Sequence, residues 1–104
     1  MNTGFVSAVE MLPVPRGAAL TRDQVDGKVC VWCCVQTDDH IDIGLRLSVI
    51  GGELKRWQPR ACRACTGRKA VRVYQLHVRT CARCTHRDYC PDSRALHVLA
   101  MECR

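Results

Sequence analysis

Nine cysteines in a chain of 104 residues constrain its fold more than any other feature. A chain of this length forms one small domain with a limited core, and such domains often need disulfides or a metal as additional support. An odd number of cysteines would leave one of them unpaired in a full disulfide framework. The N-terminal stretch also lacks the basic and apolar regions of a secretory signal, so we expect a cytoplasmic protein with reduced thiols. These observations favour metal sites over disulfides.

Two Cys-x-x-Cys pairs predict a first structural zinc site. A Cys-x-x-Cys knuckle holds two sulfurs about 2.3 Å from a shared zinc ion, and a second pair completes the tetrahedron. The second pair opens a predicted helix, whose positive N-terminal end favours thiolates. The predicted ligands are Cys30, Cys33, Cys62 and Cys65. Cys34 is the alternative to Cys33, which we prefer because a two-residue gap closes a knuckle.

The segment HVRTCARCTHRDYC, residues 77–90, predicts a second zinc site. A histidine one helical turn before a Cys-x-x-Cys pair lies on the same helix face, so both side chains reach one ion. A further cysteine precedes the last predicted helix. The predicted ligands are His77, Cys81, Cys84 and Cys90. His86 is the competing ligand, whereas His40 and His97 lack ligand spacing and are expected to be structural or solvated.

Hydrophobic periodicity predicts a hairpin between the two pairs of the first site. Apolar residues alternate with polar ones from Ile41 to Val49, which predicts one half-buried strand. Gly51 and Gly52 permit the positive φ of a tight turn, and the return strand is expected at Glu53–Trp57. Residues 1–28 show no sustained period, so we expect a loosely ordered lead-in with one short strand near Phe5–Met11. The zinc domain is expected to span residues 29–104.

Two helices are predicted in the second half of the chain. From about residue 62 to residue 80 the apolar positions repeat on one helical face. Those positions are Ala70, Val73, Tyr74, His77 and Cys81. A last helix is expected after Cys90, with Pro91 in its first turn. Its inward residues are expected to be Ala95, Leu96, Leu99 and Ala100. The predicted fold is a small α+β zinc-stabilised domain.

The order of knuckle, β-hairpin and helix with paired ligands in residues 30–79 resembles the treble-clef zinc finger. Residues 29–104 also resemble small cysteine-rich zinc proteins of Streptomyces and related actinobacteria, including plasmid- and phage-borne ones, a family without an assigned activity. The residues that carry this resemblance are Trp32, Trp57, Pro59, Arg60, Ala61, Cys62, His77, Cys81, Cys84 and Cys90. The resemblance implies a treble-clef-like unit followed by a second zinc site and a C-terminal helix.

A different cofactor is the alternative at the second site. The spacing Cys81-x2-Cys84-x5-Cys90, followed by Ala95 and Leu96, resembles the cluster-binding segment of WhiB-like proteins. These actinobacterial transcription factors hold a four-iron cluster with four cysteines, so the resemblance implies an iron–sulfur cluster there. The chain lacks the Gly/Trp-rich turn that follows this segment in that family. We therefore expect two zinc ions.

The second half of the chain is strongly basic, which indicates an acidic partner such as nucleic acid. Residues 53–104 carry 12 Lys and Arg against 4 Asp and Glu, whereas residues 1–52 carry 4 against 6. The start and the polar face of the first predicted helix supply the residues expected to contact nucleic acid. They are Arg60, Arg63, Arg68, Lys69, Arg72, Gln75 and Arg79.

These features predict a binding protein rather than an enzyme. A catalytic zinc keeps one position open for water, whereas both predicted sites are filled by protein ligands. We expect a nucleic-acid-binding or transcription-associated regulator, with no small-molecule substrate and no membrane span. The alternative is a zinc-stabilised protein–protein interaction module that acts on a transcription complex without touching DNA. An exposed Trp32 or Trp57 with apolar neighbours would favour this alternative.

Overall fold

The protein has a small mixed α/β fold. A computed structural model describes residues 8–36 and 38–103. Two 3-10 helices at Ala8–Met11 and Gly17–Ala19 precede the short helix α1, Arg22–Val25. The strands are β1 (His40–Asp42), β2 (Arg46–Ile50), β3 (Glu53–Trp57) and β4 (Arg60–Cys62). The later helices are α2 (Arg63–Thr80), α3 (Ala82–Thr85) and α4 (Pro91–Glu102). No helix among the described residues is both long enough and apolar enough to cross a membrane.

The strands form two separate antiparallel pairs. β1 pairs with β4, with His40 opposite Cys62. β2 and β3 form the expected hairpin, and the return strand is confirmed at Glu53–Trp57. Gly51 and Gly52 both have positive φ, at 62° and 82°, and no other atom lies near the position of an added Cβ on either. The tight turn therefore depends on the backbone freedom of two glycines.

The prediction of one strand from Ile41 to Val49 is wrong, because the chain breaks into β1 and β2 at Gly44. Gly44 has a φ of 92°, and a Cβ added there would lie 2.8 Å from Glu10 Cγ. The backbone turns at this glycine, so the apolar residues before it and after it face opposite ways. Ile43 is buried, whereas Leu47 and Val49 are exposed.

The polar face of the hairpin makes hydrogen bonds both with the rest of the protein and within the hairpin itself. Arg46 Nη2 donates to the carbonyl oxygens of Val9 at 2.8 Å and of Ile43 at 3.2 Å. The buried Trp57 donates from Nε1 to Ser48 Oγ at 2.9 Å. The alternation of apolar and polar residues shows that a strand has two different faces. The hydrogen bonds of Arg46 and Trp57 show that the polar face is the one turned inward.

Both long helices predicted from the sequence are confirmed. α2 begins directly after Cys62, and α4 begins with Pro91 at its first position. Leu96 of α4 is fully buried and shares a cluster with Ala70 of α2 and with Leu12. Near the other end of α4, a Cβ added to Gly67 would lie 3.0 Å from the carbonyl oxygen of Cys103. The two helices therefore pack closely along most of their shared length.

The described part of the N-terminal segment packs against the core. Leu12 is fully buried, and a 3-10 helix occupies Ala8–Met11, where a strand was expected; residues 5–7 lie outside the described residues. Thr21 and Gln24 form a reciprocal capping box at the start of α1. The buried Gln24 Nε2 also donates to the carbonyl oxygen of Val31 at 2.7 Å. Residues 8–28 thus contribute to the core although their sequence shows no period.

Candidate metal centres

The first cluster lies where the 30–33 knuckle meets the N-terminal end of α2. It contains the four cysteines expected from the sequence, Cys30, Cys33, Cys62 and Cys65, whose sulfurs all lie within 4.8 Å of one another. The sulfurs of Cys33 and Cys62 are 3.8 Å apart. Sulfurs bound at about 2.3 Å to one tetrahedral ion are about 3.8 Å apart. The donor set and its dimensions therefore suit a single tetrahedral metal ion.

Backbone hydrogen bonds shape the knuckle around the Cys30 sulfur. The amides of Trp32 and Cys33 donate to Cys30 Sγ at 3.4 and 3.5 Å. The amide of Cys34 donates to the Cys30 carbonyl at 2.9 Å, and Cys34 adopts a left-handed φ of 63°. Cys34 is exposed and does not belong to either metal-ligand cluster of the described residues. The turn thus brings Cys33, and not its neighbour, into the cluster.

The thiols of the first cluster have different acidities. Burial raises the pKa of Cys30, but the amide hydrogen bonds outweigh this effect and lower the pKa to about 7. Burial and the surrounding thiols raise the pKa of Cys65 to about 12. Arg68 Nη2 donates to Cys65 Sγ at 3.3 Å. A coordinating metal ion would deprotonate these thiols outright.

The second cluster connects the C-terminal end of α2 with the start of α4. It contains the predicted ligands His77, Cys81, Cys84 and Cys90, whose ligand atoms lie within 4.8 Å of one another. The sulfurs of Cys81 and Cys90 are 3.9 Å apart, and His77 Nε2 lies 3.2 Å from Cys90 Sγ. The N–H of Ser93 in the first turn of α4, together with His77, lowers the Cys90 pKa to about 6. This donor set also suits one tetrahedral ion.

The two clusters lie at opposite ends of α2. Cys65 is in the first turn of the helix and His77 in its last turn, so about 18 Å of helix separates them at 1.5 Å per residue. At one end the ligands join α2 to the knuckle, and at the other end they join it to α4. An ion at each end would therefore fix α2 against a different part of the fold.

The remaining cysteine and histidines lie outside both clusters. All nine cysteines are free thiols, and Cys103 is buried, which raises its pKa. His86 is exposed and does not join the second cluster among the described residues. The His97 ring contacts the Tyr74 ring in a tilted arrangement, at 47° with centroids 5.6 Å apart, and His40 Nε2 lies 3.3 Å from the Val35 carbonyl oxygen.

The seven residues expected to contact nucleic acid do not share one surface. Arg63 forms an ion pair with Asp39 at 3.5 Å, and its Nη1 donates to the Glu102 carbonyl. Lys69 Nζ lies 5.6 Å above the ring of Trp32. Arg60 is on β4 rather than on the helix. These contacts depend on residues distant in sequence, so the helical pattern gives no indication of them.

The other four residues, Arg68, Arg72, Gln75 and Arg79, are exposed on one face of α2. They recur every three or four positions, which places them along one side of a helix. Two ion pairs occur among the described residues, Arg22 with Asp26 and Arg63 with Asp39. Arg72 and Arg79 therefore have no carboxylate partner in the described part of the chain. This four-residue face is called the α2 stripe below.

A groove of about 730 Å³ between α2 and α4 borders the α2 stripe. Its walls include the exposed apolar side chains of Val71 and Met101, with Arg68 and Arg72 beside them. The tryptophans are not the exposed apolar residues here, because Trp57 is buried and the half-buried Trp32 packs against both core clusters. The groove depends on the packing of two helices, and the sequence alone did not indicate it.

Each cluster offers four protein donors, which is the number that a tetrahedral ion requires. The two clusters are compatible with metal binding, and both are built from Cys and His side chains held by secondary structure. No family model matches this chain, and comparisons with curated proteins and with solved structures find no match either.

Proposed function

We propose that the protein is a small scaffold, held together by two structural zinc ions, that binds nucleic acid through the α2 stripe. The scaffold is treble-clef-like: the 30–33 knuckle, the β2–β3 hairpin and α2 follow one another, and the ligands come from the knuckle and the helix start. The second ion would then secure α4. All eight ligands come from the protein, so neither ion has a free position for a substrate or a water molecule.

Zinc is favoured over an iron–sulfur cluster by the size and composition of the second site. Its four ligand atoms lie within 4.8 Å of one another, which matches donors around a single ion. In a four-iron cluster each cysteine binds a different iron atom, so the sulfurs spread more widely. The presence of His77 among three cysteines is also typical of tetrahedral zinc. When bound, zinc offsets two thiolate charges at each site and fixes the elements that carry the ligands.

The observation that carries the nucleic-acid proposal is the pair of unpartnered arginines on an exposed helix face. Arg72 and Arg79 have no carboxylate partner among the described residues, and Gln75 lies between them. Unpaired guanidinium groups bind phosphates and release condensed counterions. Arg83 and Arg87, exposed in the segment that closes the second site, extend the basic surface beyond the residues selected from the sequence.

Replacing Arg72 and Arg79 together with alanine should reduce binding to a DNA duplex and weaken its dependence on salt. Each lost phosphate contact should lower the slope of log K against log salt by about 0.9. Fluorescence anisotropy with a labelled duplex at several salt concentrations measures both quantities. The matched control is Arg16→Ala with Arg22→Ala, which removes the same charge from exposed positions of the N-terminal segment. Equal weakening by both double variants, or by neither, would contradict a site on α2.

The groove beside the α2 stripe favours a second candidate function, the docking of an acidic amphipathic helix from a protein partner. Val71 and Met101 supply an apolar surface, and the unpaired Arg72 supplies positive charge next to it. Apolar anchors in a groove with charged residues at its rim are typical of helix recognition. The DNA titration separates the two candidates: if the stripe double variant binds DNA as well as the wild type, this second candidate becomes the better one.

A further inference from the structure

The outward face of the β2–β3 hairpin is an apolar surface that the described part of the protein leaves uncovered. Its four apolar side chains have large exposed fractions: Leu45 55%, Leu47 61%, Val49 60% and Leu54 67%. Val49 and Leu54 are direct cross-strand partners, so the four side chains are contiguous on one side of the hairpin. This set is called the hairpin patch below.

The inner face of the same hairpin is fixed, so the patch cannot turn inward without breaking it. Arg46 is bonded to the Val9 carbonyl, and Ser48 accepts the Trp57 N–H. Ile50 packs against the core cluster. A shift of one residue in the strand register would bury the leucines. It would also expose Arg46, Ser48 and Ile50 and break the hydrogen bonds that they make. The exposed patch is therefore a fixed feature of this fold.

The hairpin patch has the size of the largest apolar patch on a typical monomer. The exposed fractions of its four side chains correspond to roughly 450 Å² of accessible surface, within the 300–600 Å² typical of the largest apolar patch on a monomer, which is often functional. On two copies of the chain the same residues would contribute about 900 Å². This area lies below the roughly 1,200 Å² of stable interfaces, in the range of weak and transient associations.

We propose that the hairpin patch is the interface of a homodimer, in which two hairpins pack face to face around a twofold axis. The four apolar side chains can pack against the same four side chains of a second copy, as a twofold interface requires. Arg56, which faces outward opposite Leu47, is the one charged residue within the two strands on this face. It lies on an edge strand of the hairpin, so its guanidinium can reach water beyond the edge while its aliphatic stem covers apolar surface.

Pairing of a further β-strand with either edge of the hairpin is disfavoured. Beside β2, the 3-10 helix at Gly17–Ala19 blocks the approach: a Cβ on Gly17 would lie only 1.9 Å from the Val49 carbonyl oxygen. The other edge is β3, which carries Glu53, Lys55 and Arg56. Charged residues on an edge strand discourage pairing with a further strand. Face-to-face packing of two hairpins is therefore the arrangement that covers the apolar side chains.

Analytical ultracentrifugation of the metal-loaded chain under reducing conditions tests the dimer. The wild type should show a monomer–dimer equilibrium in the micromolar range, as suits an interface of modest area. Leu47→Glu should weaken the dimer at least tenfold. The matched control is Leu76→Glu on α2, because Leu76 has the same 61% exposure as Leu47 but lies outside the patch. Circular dichroism and metal content should match the wild type in both variants, which establishes that they fold.

Three outcomes would overturn the dimer. One is a wild type that stays monomeric up to about 500 μM, well above the micromolar range expected for such an interface. Another is equal weakening by Leu47→Glu and Leu76→Glu, which would mean that the association does not use the patch. The third is a monomeric wild type that floats with phosphatidylcholine vesicles while Leu47→Glu does not, which would assign the patch to a lipid surface.

The unmodified protein supplies a second measurement that does not depend on a substitution. Dilution of isotope-labelled protein across the dimer midpoint should shift the amide NMR signals of the hairpin patch and leave those of the α2 stripe unchanged. Shifts confined to the stripe would contradict the dimer. Because the patch and the stripe lie on different elements, failure of the DNA experiment would leave this proposal standing, and the reverse also holds.

Discussion

Chelation of both metal ions is expected to unfold the domain. Structural zinc contributes about 10–16 kcal/mol of apparent binding free energy in small zinc domains, which equals or exceeds the roughly 5–15 kcal/mol of stability of a typical domain. Among the described residues the largest fully buried apolar side chains are Leu12, Ile43, Leu96 and Val31, with Trp57 nearly buried, so the core that could compensate is small. Three of the buried residues, Cys30, Cys65 and Cys90, are themselves candidate ligands.

Far-UV circular dichroism during an EDTA titration measures this unfolding, because α2 and α4 together provide most of the helical signal. The signal should fall steeply with chelator and return when excess zinc is added under reducing conditions. EDTA already saturated with zinc is the control for effects of the chelator itself. A metal-free chain with an unchanged spectrum and an unchanged melting temperature would contradict a structural role for the metal.

Substitution of one ligand should remove one ion, whereas substitution of its neighbouring alternative should not. Cys33→Ser is expected to abolish the first site, because serine does not supply the thiolate that completes the donor set. Cys34→Ser should keep both ions, since Cys34 is exposed and outside the cluster. His77→Ala and His86→Ala form the same kind of pair for the second site. Each lost ion should cost more than about 4 kcal/mol, the range of the most damaging substitutions.

Metal content of each variant, measured by mass spectrometry under non-denaturing conditions, distinguishes the members of a pair. One ion is expected for Cys33→Ser and for His77→Ala, and two ions for Cys34→Ser and for His86→Ala. A Cys34→Ser protein that loses its metal while Cys33→Ser keeps it would reverse the ligand assignment. At the second site, loss of the ion from His86→Ala but not from His77→Ala would likewise reverse the ligand assignment.

Local patterns predicted the elements and the candidate ligands that lie close together in sequence. The 3.6-residue period marked α2 from its apolar positions, and Pro91 marked the start of α4. The Cys-x-x-Cys spacing selected cysteines that the fold brings together, because a two-residue gap already determines the turn that joins them. A histidine one helical turn before a cysteine is likewise a local relation. Such signals require no knowledge of the tertiary structure.

Relations between distant parts of the chain were not predictable in this way. Leu12 and Gln24 belong to a segment without a period, and only their partners in the fold, such as the Val31 carbonyl, make them part of the core. The residues around Leu47 do alternate, but the turn at Gly44 and the hydrogen bond from Arg46 to the Val9 carbonyl place the leucine side outward. Arg63 and Lys69 matched a basic pattern, and contacts with Asp39 and Trp32 gave them other roles.

We propose that two zinc ions hold this fold, and the intact mass of the reduced protein under non-denaturing conditions tests this most directly. Two zinc ions per chain are expected, together with loss of both masses when the protein is denatured in acid. A brown protein carrying iron and inorganic sulfide, or a folded chain whose mass shows no metal, would contradict it.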